Sequence, residues 1–293
     1  SGTTAEMIAA LITDSTKVEV TDASLTISDS PTPSQLTALD AVTTGNISYG
    51  SGGSGGGGGG NNDDITGTVG EVIETLQSKS SDYTGTITIT DAGGTNISAT
   101  NLSTIGAATT GTVTVNNAVK ISGSQSDVTA ALVTASSKVV AGASDTIANV
   151  TDAVTAAQGQ AIAAASNITG IFSGGVEDTV SNLYDTNNTA ITAAFSAISA
   201  DDADVAVTIT NAAFDENNNN VTIAATALSG IGNATTGTVT VDNAVRIEGT
   251  RTLVTDALVT TASKVTAATA LVKITDTAFH ANNNANTINA TDL

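Results

Sequence analysis

A glycine followed nine residues later by a leucine occurs five times in this chain: Gly2–Leu11, Gly67–Leu76, Gly123–Leu132, Gly174–Leu183 and Gly249–Leu258. Three copies place a hydroxyl after the glycine and an acid three residues further on: Thr3/Glu6, Thr68/Glu71 and Ser124/Asp127. That spacing starts a helix, because the hydroxyl accepts an unsatisfied backbone N–H while the acid reaches back to the cap. The Gly174 copy has Gly175 at the cap position. The Thr250 copy has Leu253 where the acid should be, which predicts a weaker start. Recurrence of one supersecondary unit predicts an array of stacked units rather than a domain built around a pocket.

Two further motifs interleave with the first. Val18–Ala23, Ile87–Ala92, Val207–Ala212 and Val272–Thr277 alternate β-branched residues with Thr or charged residues and end on Asp or Asn. They read as half-buried strands whose final Asx turns the chain by bonding its own backbone. Leu36/Leu39/Gly45, Leu102/Ile105/Gly111 and Leu228/Ile231/Gly237 read as short helices stopped by glycine before the next strand. Segments 109–124 and 235–250 are nearly identical. The basic coil is strand, turn, short strand and helix in roughly 30 residues, within the range of solenoid repeats. Such order favours parallel stacking.

The expected fold is therefore α/β, a β-rich repetitive solenoid of short strands alternating with short helices. One array spans 1–293, with a glycine-rich loop insertion at 50–60 and irregular Ala-rich repeats over 133–200. Hydrophobic residues make up 40% of the chain and aromatics only 2%, which suits narrow stacked layers better than one thick core. Val113, Val115, Ile121, Val128 and Leu132, with their counterparts Val239, Val241, Ile247, Val254 and Leu258, are expected to fill one continuous core. Both ends read as cuts through a longer array, so self-association or further repeats are the expected partners there.

A net charge of −20 repels phosphate backbones and anionic lipid surfaces, which argues against nucleic acid and membrane partners. No apolar run approaches the length of a membrane span, so direct membrane insertion is not expected. The absence of cysteine removes disulfides and thiol catalysis. His280 is the sole histidine, and its counterpart 65 residues earlier is Asp215, so it reads as a solvated turn residue. No nucleophile elbow, zinc motif or phosphate loop occurs, and the chain does not read as an enzyme.

Calcium is the one cofactor the sequence suggests. Asp201, Asp202 and Asp204 cluster before a strand, and Asp215 and Glu216 sit in an Asn-rich turn, where hard oxygen ligands suit Ca²⁺. The alternative is that these acids solvate loops. Nine Asn-x-Ser/Thr sequons, at Asn46, Asn96, Asn101, Asn149, Asn167, Asn187, Asn220, Asn233 and Asn289, allow attached sugars at the surface. Thr86/Thr88/Thr90, Thr112/Thr114 and Thr238/Thr240 would form a hydroxyl and methyl array if stacked, as in ice-binding solenoids. The intervening helices favour the plainer reading, that Thr suits an exposed strand.

The phrases VEVTDA, TITITDA, SGTTAEMIAAL, LSTIGAATTGTVTV and ALSGIGNATTGTVTV resemble repeats of giant cell-surface proteins of marine cyanobacteria and other Gram-negative bacteria. The resemblance implies export to the outer surface and a role in adhesion, motility or a surface layer. It carries no catalytic residue. The expected function is a structural building block of a surface layer, fibre or giant surface protein. An adhesin that binds glycans or other cells is the alternative, and an ice-binding solenoid a more distant one.

Overall fold

The structure is a computed structural model that describes residues 1–13, 22–29, 31, 33–45, 47–49, 64–77, 79, 83–217 and 221–276. Val18, the 50–60 insertion and His280 lie outside these residues. The chain divides into two compact units, one of 1–147 with 166–168 and one of 148–165 with 169–293.

In the first unit, strands Ile65–Gly67, Ile87–Ile89, Val113–Val115 and Val139–Ala141 form one parallel ladder. Ile65, Ile87, Val113 and Val139 stack in register, 22, 26 and 26 residues apart. A second parallel pair joins Asn96–Ser98 to Lys120–Gly123, with Ile97 on Ile121. Helices Val69–Leu76, Ala99–Ala107 and Gln125–Leu132 follow the strands. Nearer the N-terminus, Leu25–Ile27 pairs in parallel with Ile47–Tyr49. Met7, Leu25, Ile27, Leu39 and Ile47 form a buried cluster there, with helix Thr4–Leu11 against it.

The second unit repeats this plan. Strands Val176–Asp178, Val207–Ile209, Val239–Val241 and Val265–Thr266 form one parallel ladder. Strands Thr222–Ala224, Arg246–Gly249 and Leu271–Ile274 form another. Ile274 stacks on Gly249, so the last Asx-type strand extends the second ladder. Parallel sheets with alternating helices bear out the mixed α/β expectation, and the ladders are open rather than closed. One antiparallel hairpin, Tyr184–Asp185 with Ala190–Ile191, interrupts the pattern within 133–200.

The three-residue strands point their outer residues inward. Val113, Val115, Val239 and Val241 are buried, as are Ile121, Ile247, Val128 and Val254, each copy within its own unit. Leu132 and Leu258 are only half-buried, contrary to expectation. Ala131 and Ala257, both 0% exposed, take the inward positions instead. The reason is a mismatch of spacing. Neighbouring strands lie about 4.8 Å apart while helices pack at about 8–10 Å, so small residues at helix contacts reduce the splay. Gly106 and Gly232 make the same point, because a β-carbon on either would overlap the carbonyl oxygen of Ser137 or Ser263.

The helix starts at Thr3 and Thr68 are complete capping boxes. Ser124 and Thr250 accept from the amides of Asp127 and Leu253, so the Thr250 start forms without the acid. The Gly174 copy is a correction. Gly175 has φ 79°, in the turn before strand Val176–Asp178, and the cap of helix Val180–Leu183 is Thr179. A further complete box, Thr155 with Gln158, starts helix Ala156–Ala163. Its Thr-x-x-Gln signature was present in the sequence without the preceding glycine. Among the described residues no helix is long and apolar enough to cross a membrane.

Candidate functional site

The residues that recur in the sequence converge on the contacts between consecutive strand–helix segments within each unit, here called coils. The first of these is built by the strand-end Asx residues. Asp29, Asp91, Asp178 and Asn211 accept hydrogen bonds of 2.6–2.9 Å from the amides of Thr4, Val69, Ala156 and Val180. Asp276 does the same for Arg251. Each donor is the first residue of a helix lying 22–31 residues earlier. These side chains therefore complete the helix of the preceding coil, which corrects the reading of Asp91, Asn211 and Asp276 as local turn formers. A helix N-terminus carries unpaired N–H groups and a partial positive charge, and an oxygen from the next strand answers both.

The Thr-Thr-Gly motif builds the second junction. Thr109 Oγ donates to the Gly85 carbonyl at 2.7 Å and accepts from Gly111 N–H at 2.9 Å. Thr235 bridges Val205 and Gly237 in the same way, and Thr43 bridges Ala23 and Gly45. All three threonines are at most 3% exposed. The glycine is required by close approach, since a β-carbon on Gly45, Gly111 or Gly237 would overlap backbone of the preceding coil. Asn117 and Asn243 add side-chain bonds to the Asp91 and Asn211 carbonyls at 2.8 and 2.9 Å.

Two of the chain's few bases form a third contact. Lys138 and Lys264 both hold φ 55° and donate to the carbonyls of Gly106 and Gly232, in the last turns of helices Ala99–Ala107 and Ala225–Ala234. A cation at a helix C-terminus complements its partial negative charge. The repeated Ser-Lys pairs at 137–138 and 263–264 were a visible signal for this contact.

The candidate calcium ligands fall as follows. Asp201 accepts from Gly170 N–H and Asp202 from Phe172 N–H, each at 2.7 Å. Asp202 is 9% exposed, and burial raises its pKa against the lowering by the Phe172 amide, while nearby Asp204 raises it further. Asp202 and Asp204 thus stand together, and two of the three acids also serve strand Ile168–Phe172. Asp215 accepts from Asn217 N–H at 2.9 Å in a turn that also holds Glu216. Among the described residues no three His, Asp or Glu side chains gather as a metal site.

The exposed acids of the caps are electrostatically simpler. Thr68 N–H and hydroxyl donate to Glu71 at 2.8 and 2.9 Å and hold its carboxyl below the usual range. Thr3 does the same for Glu6, and the Thr4 hydroxyl and N–H for Asp29. The outward Thr residues form single files. Thr66, Thr88 and Thr114 stack in register and the file ends at Val140, while Glu177, Thr208, Thr240 and Thr266 form the other.

No family profile matches the chain, and no curated protein or solved structure matches it either.

Proposed function

We propose that this chain is a structural repeat protein of the outer cell surface, each unit a short solenoid, and not an enzyme. The observation that carries the reading is the repeated junction. Sequence-equivalent residues of the two units, Asp91 and Asn211, Thr109 and Thr235, Lys138 and Lys264, are all used to fasten one coil to the next within their own unit. A chain that spends its recurrent polar residues on stacking, and not on one convergent cluster, is suited to bear load and extend.

Further support comes from Leu271–Ile274, the last strand among the described residues. Leu271 and Val272 are 53% and 47% exposed, although Ile247, in register with Val272, is 0% exposed. That edge suits more repeats or a second copy. The charge of −20 keeps such an array soluble. The test is immunogold electron microscopy of intact producing cells and of the material they shed. Label on the outer surface or on layers and fibres is the expected result. Label confined to the cell interior would defeat the reading.

A further inference from the structure

The hairpin Tyr184–Asp185 with Ala190–Ile191 is an antiparallel element beside the parallel ladders. Its tip reads Asp185-Thr186-Asn187-Asn188-Thr189. Asp185 accepts from the backbone amides of Asn187 and Asn188 at 2.9 and 3.4 Å, and from the Asn188 side chain at 2.6 Å. Thr189 holds φ 49°, a conformation that β-branched residues rarely adopt. The tip is thereby folded on itself. Asn187 and Thr189 are exposed, and their side chains have no hydrogen-bond partner among the described residues.

The other described sequons are differently placed. Asn149 is 8% exposed and accepts from Ser173. Asn167 donates to the Ala141 carbonyl. Asn96 lies in a paired strand and Asn101 in a helix. The sequon of Asn233 ends on Thr235, whose hydroxyl is buried in the coil junction. An enzyme that transfers sugar to asparagine must engage both the amide and the hydroxyl two residues on, which demands an exposed segment outside regular structure. Asn187 meets that demand. Among the nine sequons it is also the one with an acid two residues earlier, Asp185, the acceptor pattern of bacterial oligosaccharyltransferases.

We propose that Asn187 is an N-glycosylation site, modified on the folded chain. Its Nδ2 forms a bond to the anomeric carbon of a polyprenyl-pyrophosphate-linked oligosaccharide. The bond from that carbon to the pyrophosphate oxygen breaks, polyprenyl pyrophosphate leaves, and the amide proton passes to a base of the enzyme. The biological setting rests on the surface reading above, since donor and enzyme meet the chain during export.

The test is independent of location. Purified folded protein is incubated with a single-subunit bacterial oligosaccharyltransferase and its lipid-linked donor, with a standard acceptor peptide as the check on the enzyme. Intact mass should rise by one glycan, mapped to the peptide containing Asn187. Asn187→Gln and Thr189→Ala should each abolish the added mass while leaving the circular dichroism spectrum unchanged. Failure to modify the natural chain, or an undiminished mass on Asn187→Gln, would overturn the site and leave the question of surface location untouched.

Discussion

Replacing Thr109 by valine keeps the shape of a side chain that is 2% exposed and deletes its oxygen. Two bonds vanish together, the 2.7 Å donation to Gly85 and the 2.9 Å acceptance from Gly111. A typical bond contributes about 0.5–1.5 kcal/mol net, and a buried group left unsatisfied costs about 1–3 kcal/mol. Both Gly85 C=O and Gly111 N–H are left facing an apolar methyl. The expected loss is about 2–3 kcal/mol at this junction. Because contacts in a stack are between neighbours, the loss should be local. Hydrogen exchange read by mass spectrometry should therefore show protection falling about 30- to 150-fold, at about 1.4 kcal/mol per tenfold. Peptides covering Ile87–Ile89 and Val113–Val115 should carry that loss, while those covering Val239–Val241 should not change. Thr110→Val, at the exposed neighbour, should shift protection by less than about threefold, as surface changes do. Equal effects of the two substitutions, or uniform loss along the chain, would refute the junction argument.

Other outcomes follow from the same structure. Gly106→Ala should destabilise by about 1–3 kcal/mol through its overlap with Ser137, whereas Gly70→Ala, with open space around it, should stabilise helix Val69–Leu76 by about 0.5–1 kcal/mol; denaturant melts compare them. Leu102→Ala, at a 0% exposed site, should cost about 2–5 kcal/mol, and Leu132→Ala, half-buried, clearly less in the same assay. Glu6, Glu71 and Asp29 have folded pKa values below their ordinary ones, so their stabilisation is present above the ordinary carboxylate range and is lost as pH falls through the lowered values. Exchange protection of helix Val69–Leu76 should drop on acidification below about pH 4.5, and Glu71→Gln should flatten that dependence. Asp202 has the opposite sign: its raised pKa means that the folded state holds the proton more tightly, so Asp202→Asn should be neutral or stabilising at neutral pH in a thermal melt.

The sequence revealed those features whose partners lie close along the chain. The Thr3 and Thr68 boxes were readable because hydroxyl and acid are three residues apart. The strands were readable because alternation is also local, and the in-register Thr residues confirm which face is outward. The partners at the first two junctions were not readable, since Asp91 meets Val69 and Thr109 meets Gly85 only once segments 22 and 24 residues apart have packed together. The same limit displaced the core expectation from Ala131 to Leu132. Size alone favours leucine inside, but the space between neighbouring helices admits only the smaller residue. At the candidate metal site the acids were correctly placed before a strand, and the amides of Gly170 and Phe172 that two of them serve come from a segment about 30 residues earlier.

The cross-coil caps give the molecule a direction in time. At each of the five helix starts the first helical amide donates to an oxygen that lies further along the chain, in addition to any cap supplied by the hydroxyl just before the helix. A polypeptide delivered with its N-terminus first, from a ribosome or through a pore, thus has a provisional helix at its growing end. That helix can form its local cap at once, but its first amide is satisfied only when the following strand arrives with its Asp or Asn. Within each unit, folding would trail synthesis by one strand–helix segment, each new strand fastening the helix that precedes it in the chain.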